Sequence, residues 1–245
     1  MIGSLAAVLK STDATGEENV KRKSFAMYNF EILSEYHLSQ EHIVEHSKDF
    51  LDLFTATLQE NDIRIKVAAL KAITAFLSSI DDTEVVLRYK GMMDNLLDVV
   101  ASVMRADETQ GQASLESMIE LTQSHGDVWG DCMPKLIGVV SDVMRETGLE
   151  SATRQSALEI ITTLAEGMAG ILRKHAEALR THFFPALAFM MTEIEHADDL
   201  EAWLAEEDTE LQAKNDPASV AADSLQRISV YLGEKTTLEC MNLII

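Results

Sequence analysis

Apolar positions in this chain recur at helical spacing, and one arrangement of acidic, small and apolar residues returns at near-regular intervals. The clearest copy is Glu150 to Glu166, ESATRQSALEIITTLAE; it matches DETQGQASLESMIELTQ from Asp107, 43 residues earlier, and DIRIKVAALKAITAFLS from Asp62, a further 45 back. Each copy opens on an acid (Asp62, Asp107, Glu150), has a small residue six positions on (Ala68, Ala113, Ser156), then a Leu (Leu70, Leu115, Leu158), then a further apolar residue (Ile73, Met118, Ile161). An acid before the first turn suits the positive end of a helix dipole and gives unpaired N–H groups an acceptor. Apolar residues at i, i+3 and i+4 make a buried stripe, and the small residue predicts close helix approach. Glu17 to Tyr36 reads as a weaker copy 45 residues before the Asp62 segment, with Phe25, Tyr28 and Ile32 as its expected core.

Between these second helices lie partners of similar length: Gln40 to Leu58, Asp81 to about Arg105, Asp131 to Arg145, and Gly170 to Glu195, which Pro185 should kink or break. Two helices per 40 to 47 residues is the pattern of HEAT or armadillo solenoids. The second helix also resembles the HEAT consensus D-x-x-[V/I]-[K/R]-x-A-[A/S]-L, nearly complete in Asp62, Ile65, Lys66, Ala68, Ala69 and Leu70; Gly111 replaces the basic residue in the next copy and Glu150 the Asp in the third. The expected fold is all-α, an α-α superhelix of HEAT-like repeats at about 1–39, 40–80, 81–125, 126–168 and 169–233, with 234–245 beginning another.

The regular interval fails once. Leu225 takes the repeat position in Ala218 to Leu232, yet lies 67 residues after Leu158, so roughly two dozen residues are inserted at 194–216. From Glu193 to Asp216 there are ten carboxylates against Lys214 alone, and Asp198, Asp199, Glu201, Trp203, Glu206, Glu207, Asp208 and Glu210 form the candidate contact for a basic partner. A solvated loop is the alternative for so charged a segment. Trp203 favours a contact, since a large aromatic among acids packs on something or meets a cation.

Composition narrows the class further. A formal charge of −21 over 245 residues argues against direct nucleic-acid binding, which needs cations for phosphates, and points to a basic partner. Cys132 and Cys240 are too far apart in sequence to suggest a disulfide framework, and no apolar run is long enough to span a bilayer. His42-Ile43-Val44-Glu45-His46 matches the inverted zinc-protease pattern H-x-x-E-H, but no third ligand accompanies it, so neither catalysis, metal nor cofactor is expected. The uncapped apolar ends, Met1 to Lys10 and Thr237 to Ile245, suggest a piece of a longer array.

From about Ala101 to Gly233 the sequence resembles the middle of importin-β-type nuclear transport receptors, most closely the importin-5 (karyopherin-β3) branch. The resemblance is carried by RQSALEIITTLAEGMAGILRKHAEAL from Arg154, PALAFMMTEIE from Pro185, the acidic insertion with Trp203, and AADSLQRISVYLGEK from Ala221. It implies a receptor shuttling between cytoplasm and nucleus through the nuclear pore, with basic nuclear-localisation-signal cargo, the GTPase Ran and phenylalanine-glycine nucleoporins as partners. A generic HEAT scaffold is the rival reading. In such solenoids the second helices line the concave face, so the residue after each repeat Leu forms one row (Lys71, Glu116, Glu159, Gln226) and residues four and seven beyond it form two more. Glu116, Glu120, Glu159 and Glu166 are therefore the candidate carboxylates for cargo lysines.

Overall fold

Four aspartates set helix starts. In the computed structural model, which describes residues 2–11, 16–36, 39–193 and 216–241, Asp62, Asp82, Asp107 and Asp216 each stand in extended backbone and accept a hydrogen bond from the N–H of Arg64, Glu84, Gln110 and Ser219 respectively. Each satisfies one amide that the first turn leaves without a partner. Every regular element among the described residues is helical, and none of these helices is long and apolar enough to cross a membrane.

The chain divides into two compact units, 1–132 and 133–245. The first contains α1 (Ile2–Lys10), α2 (Gly16–Tyr36), α3 (Gln40–Glu45), α4 (Ser47–Leu58), α5 (Ile63–Ser78), α6 (Thr83–Val86), α7 (Met93–Ala106) and α8 (Glu108–His125). Two layers result. In one, α5 lies between α2 and α8; in the other, α4 contacts α1 and α7, and each of α1, α4 and α7 packs on its following partner. The second unit repeats the arrangement with α9 (Met133–Arg145) and α10 (Ser151–Leu172), then α11 (Ala176–Ala178), α12 (Phe184–Met191), α13 (Pro217–Leu232) and α14 (Glu234–Met241). Here α10 packs on α13, α9 on α12, and the two layers meet through α9 with α10 and α12 with α13.

The repeated stripe is the core. Leu70, Leu115, Leu158, Ile73, Met118 and Ile161 are all fully buried, whereas Leu225, at the equivalent place on α13, is only half-buried and Ile228 takes the interior position. In the first unit the stripe is extended by aromatic rings. Phe30 lies 5.5, 5.4 and 5.8 Å from Phe50, Phe54 and Phe76, and Phe76 lies 5.5 Å from Tyr89. Edge-on and tilted pairs of this kind add about 0.5–1.5 kcal/mol each beyond area burial.

Two sequence expectations change. On α2 the core is Ala26, Met27, Phe30 and Leu33, while Phe25, Tyr28 and Ile32 are 66%, 54% and 37% exposed. Both faces of α2 carry apolar residues, so a 45-residue slide finds a plausible stripe in the wrong register; the ring of Phe30 decides it by meeting three aromatics from α4 and α5. First helices are also interrupted. His46 has non-helical backbone and separates α3 from α4, residues 87–92 form a 3-10 segment before α7, and a π-helical turn at Leu179–Phe183 leads into Pro185 at the start of α12. Finally, a close approach of α7 to α8 is made at Gly111: a Cβ there would stand 2.7 Å from Met104 Sδ and 2.9 Å from Met104 Cα.

Between α2 and α5 the exposed guanidinium of Arg64 bonds both oxygens of Glu17 at 2.9 Å and both of Asp62 at 2.9 and 3.0 Å. These bonds, first among the causes, hold the carboxyls of Glu17 and Asp62 below their ordinary values of 4.5 and 3.8.

Two outcomes are expected. Phe30→Ala should cost about 3–5 kcal/mol, as buried aromatic truncations do, and Phe25→Ala about 0.5 kcal/mol or less, as exposed ones do; urea unfolding of both variants checks the register, and equal losses would reverse it. A carboxyl with a depressed folded pKa contributes stability above its unfolded pKa and loses it as pH falls through the folded one. The midpoint difference between the protein and Arg64→Gln should therefore be largest at neutral pH and close as pH drops below about 4. Circular dichroism melts over a pH series read this directly, and a difference constant into strong acid would assign the effect elsewhere.

Candidate functional site

The candidate carboxylates all stand on second helices, but the structure gives them two different environments. Glu116 and Glu120 are one turn apart on α8 and exposed, on the side away from buried Leu115, Met118 and Leu121. Their helix is held on three counts: Asp107 caps it, Gly111 lets α7 approach, and the indole N–H of Trp129 donates to Thr122 Oγ1 at 3.0 Å in the interior. Neither carboxylate is bonded to another described side chain, so both remain available to a cation from solvent.

Glu159 and Glu166 stand two turns apart on α10, and a single residue of α13 reaches both. Arg227 donates through Nη1 and Nη2 to the two oxygens of Glu159 at 2.9 and 3.0 Å, and through Nε to Glu166 at 2.7 Å. A planar guanidinium matches this geometry, and a lysine, as a point charge, could not. Bonding to Glu166 and Glu159 pushes the Arg227 pKa further above its ordinary value. Reading the rows for acids alone passed over this residue. The available signal was that Arg227 is the only basic residue in α13 and directly follows Gln226, the row position.

The same pair of helices is tied at its far end. Arg173, just past α10, donates to the carbonyls of Leu232 at 3.0 Å and Tyr231 at 2.8 Å. That places a cation at the negative end of the α13 dipole. Gly233, at φ 84°, then turns the chain into α14.

The acidic insertion is described only at its margins. Asp198, Asp199, Glu201, Trp203, Glu206, Glu207, Asp208 and Glu210 lie outside the described residues. Glu193, counted among its carboxylates, is engaged: Arg154, almost wholly buried, donates to it from Nη1 at 2.8 Å, pairs with its other oxygen as an ion pair at 2.7 Å, and also donates from Nε to the Met144 carbonyl at 2.8 Å. Asp216 at the other margin caps α13. His42 and His46 are exposed, with Ser39 Oγ 2.7 Å from His42 Nδ1 and Asp49 3.4 Å from His46 Nδ1. Among the described residues no three His, Cys, Asp or Glu gather as a metal site would require.

Comparison with known proteins gives two family matches that together take in most of the chain. Residues 12–139 match the family described as "IPO5-like, TPR repeats" and residues 146–239 the family described as "Importin repeat". Importin subunit beta-3 of Saccharomyces cerevisiae is 24% identical over 185 residues, 75% of this chain and 17% of its own length. Among solved structures, Kap121p bound to Pho4p superposes with a TM-score of 0.79 at 20% identity, and Kap121p bound to Nup53p with 0.76 at 19%. Each superposition covers 99% of this chain and 22% of the Kap121p chain, so the chain spans about a fifth of the length of the relatives it matches.

Proposed function

Since the chain belongs to the importin family, its larger match being to the IPO5-like group, we propose that it is a segment of a nuclear import receptor that binds basic cargo. The fold is the HEAT-repeat solenoid seen in Kap121p. That Glu116 and Glu120 have no side-chain partner among the described residues is the observation that carries the cargo reading, because a fixed, solvated acid pair one helical turn apart suits lysines of an extended signal segment. The excess of 41 acidic over 20 basic residues supports the same sign of partner and faster encounter with it. Kap121p structures hold Pho4p and Nup53p, which supports protein ligands for this fold. Ran and phenylalanine-glycine nucleoporins, passage between cytoplasm and nucleus through the pore, and the division into repeats at 1–39, 40–80, 81–125, 126–168 and 169–233 belong to the same proposal. Action by binding and not by catalysis follows from it.

Charge reversal tests the acid pair. In the E116K/E120K variant a fluorescein-labelled oligolysine peptide should bind roughly three- to tenfold more weakly at low salt, from exposed contacts of about 0.2–1 kcal/mol each, with the loss shrinking as salt screens the charges. The E41K/E84K variant carries the same change of net charge on first helices and should lose much less. Anisotropy titrations of both read the difference, and equal losses would reduce the attraction to overall charge.

A further inference from the structure

We propose that Arg227 is a built-in counter-ion that silences Glu159 and Glu166 toward basic ligands and so leaves cation binding to second-helix carboxylates that lack such a partner. The inference rests on the basic-cargo reading and adds a specificity determinant to it. Its ground is the contrast in partners: Glu116 and Glu120 have none among the described side chains, whereas Glu159 and Glu166 share three guanidinium bonds of 2.7 to 3.0 Å. An arriving lysine would have to give up its hydration to compete with a fork that is already bidentate on Glu159 and is carried by the same chain, at no cost of association.

Exposure shows that Arg227 acts on ligands and not mainly on folding. The side chains of Arg227, Glu159 and Glu166 are 41%, 35% and 34% exposed, while that of Arg154 in its pair with Glu193 is 5% exposed. Removing a partner from the buried pair strands a charge in the interior; removing Arg227 returns two carboxylates to water. The α10–α13 packing has its own supports in buried Ile161, Leu164, Ala221 and Ile228 and in the Arg173 cap. Loss of Arg227 therefore unmasks negative charge without unpacking the helices.

The test is a cycle on the full chain with a fluorescein-labelled oligolysine peptide, read by anisotropy at low salt, with thermal melts as a check on folding. R227Q should bind the peptide about three- to tenfold more tightly than the unmodified protein, the scale of two newly exposed charge contacts. E159Q/E166Q removes two negative charges in either background: in the unmodified protein, where Arg227 holds both carboxylates, it should weaken binding no more than E41Q/E84Q does on first helices, and in the R227Q background it should abolish the gain. R227K, which keeps the charge but loses the fork, should fall between. Tighter binding confined to variants that retain both Glu159 and Glu166 establishes the role. Unchanged or weaker binding by folded R227Q, or a gain that survives E159Q/E166Q, overturns it. If R227Q melts too low to titrate, R227K decides alone: it should bind more tightly than the unmodified protein, and E159Q/E166Q in the R227K background should remove that gain. Failure here with a clear loss in E116K/E120K leaves the cargo reading standing; no loss in E116K/E120K removes the cargo reading itself.

Discussion

Each unit depends on a second helix that must be covered from several sides at once. In the first, α5 meets α2, α4, α7 and α8, and Ile65, Ala69, Leu70, Ala72, Ile73, Phe76 and Leu77 are all essentially removed from water. At about 25 cal/mol per Å² of apolar surface, such a helix is stable only with its neighbours in place and has little meaning by itself. The aromatic rings around Phe76 show how strictly this binds. Phe30, Phe50, Phe54 and Tyr89 come from three segments and converge on one place, so the register of α2 is fixed by residues outside it.

Basic residues are scarce in this chain, and the structure uses many of its arginines to join elements. Arg64 ties α5 to α2, Arg154 ties α10 to the end of α9 and to Glu193, Arg145 donates to the His182 carbonyl, Arg173 caps α13, and Arg227 joins α13 to α10. Three of these end on backbone carbonyls released where helices stop or distort, which is where a fixed fork of donors is most effective. The acidic excess, 41 Asp and Glu against 20 Lys and Arg, is set by composition and is not altered by these pairings.

Much of the architecture was legible in the sequence because it rests on repetition: an acid at the start, a Leu in the middle and an apolar residue three on recur with little noise, and all six of the Leu and apolar positions are interior. The α2 register was not legible, because its two faces are comparably apolar and the deciding contacts are tertiary. Leu225 failed for a related reason, since the insertion removes the spacing that would have placed it. For the candidate site, sequence alone located the carboxylates but not their state. Whether a Glu on a helix surface is free or neutralised depends on a residue on another helix, 61 positions away for Glu166 and 68 for Glu159, and no periodicity reports that.

Second helices with the same stripe meet their neighbours in different ways. At the position that is Lys66 in one copy, the next has Gly111 and the third Arg154. Both α7 and α9 carry the same Val-Met-Arg in their last turn, yet the methionine is met in opposite ways: Gly111 yields space to the Met104 side chain, and Arg154 fills space to hold the Met144 carbonyl. An arginine in place of Gly111 would collide with Met104, and a glycine in place of Arg154 would leave the Met144 carbonyl and Glu193 without their donor. Each of these second helices is therefore addressed to its own neighbour, and exchanging the two would require exchanging both sides of each helix junction together.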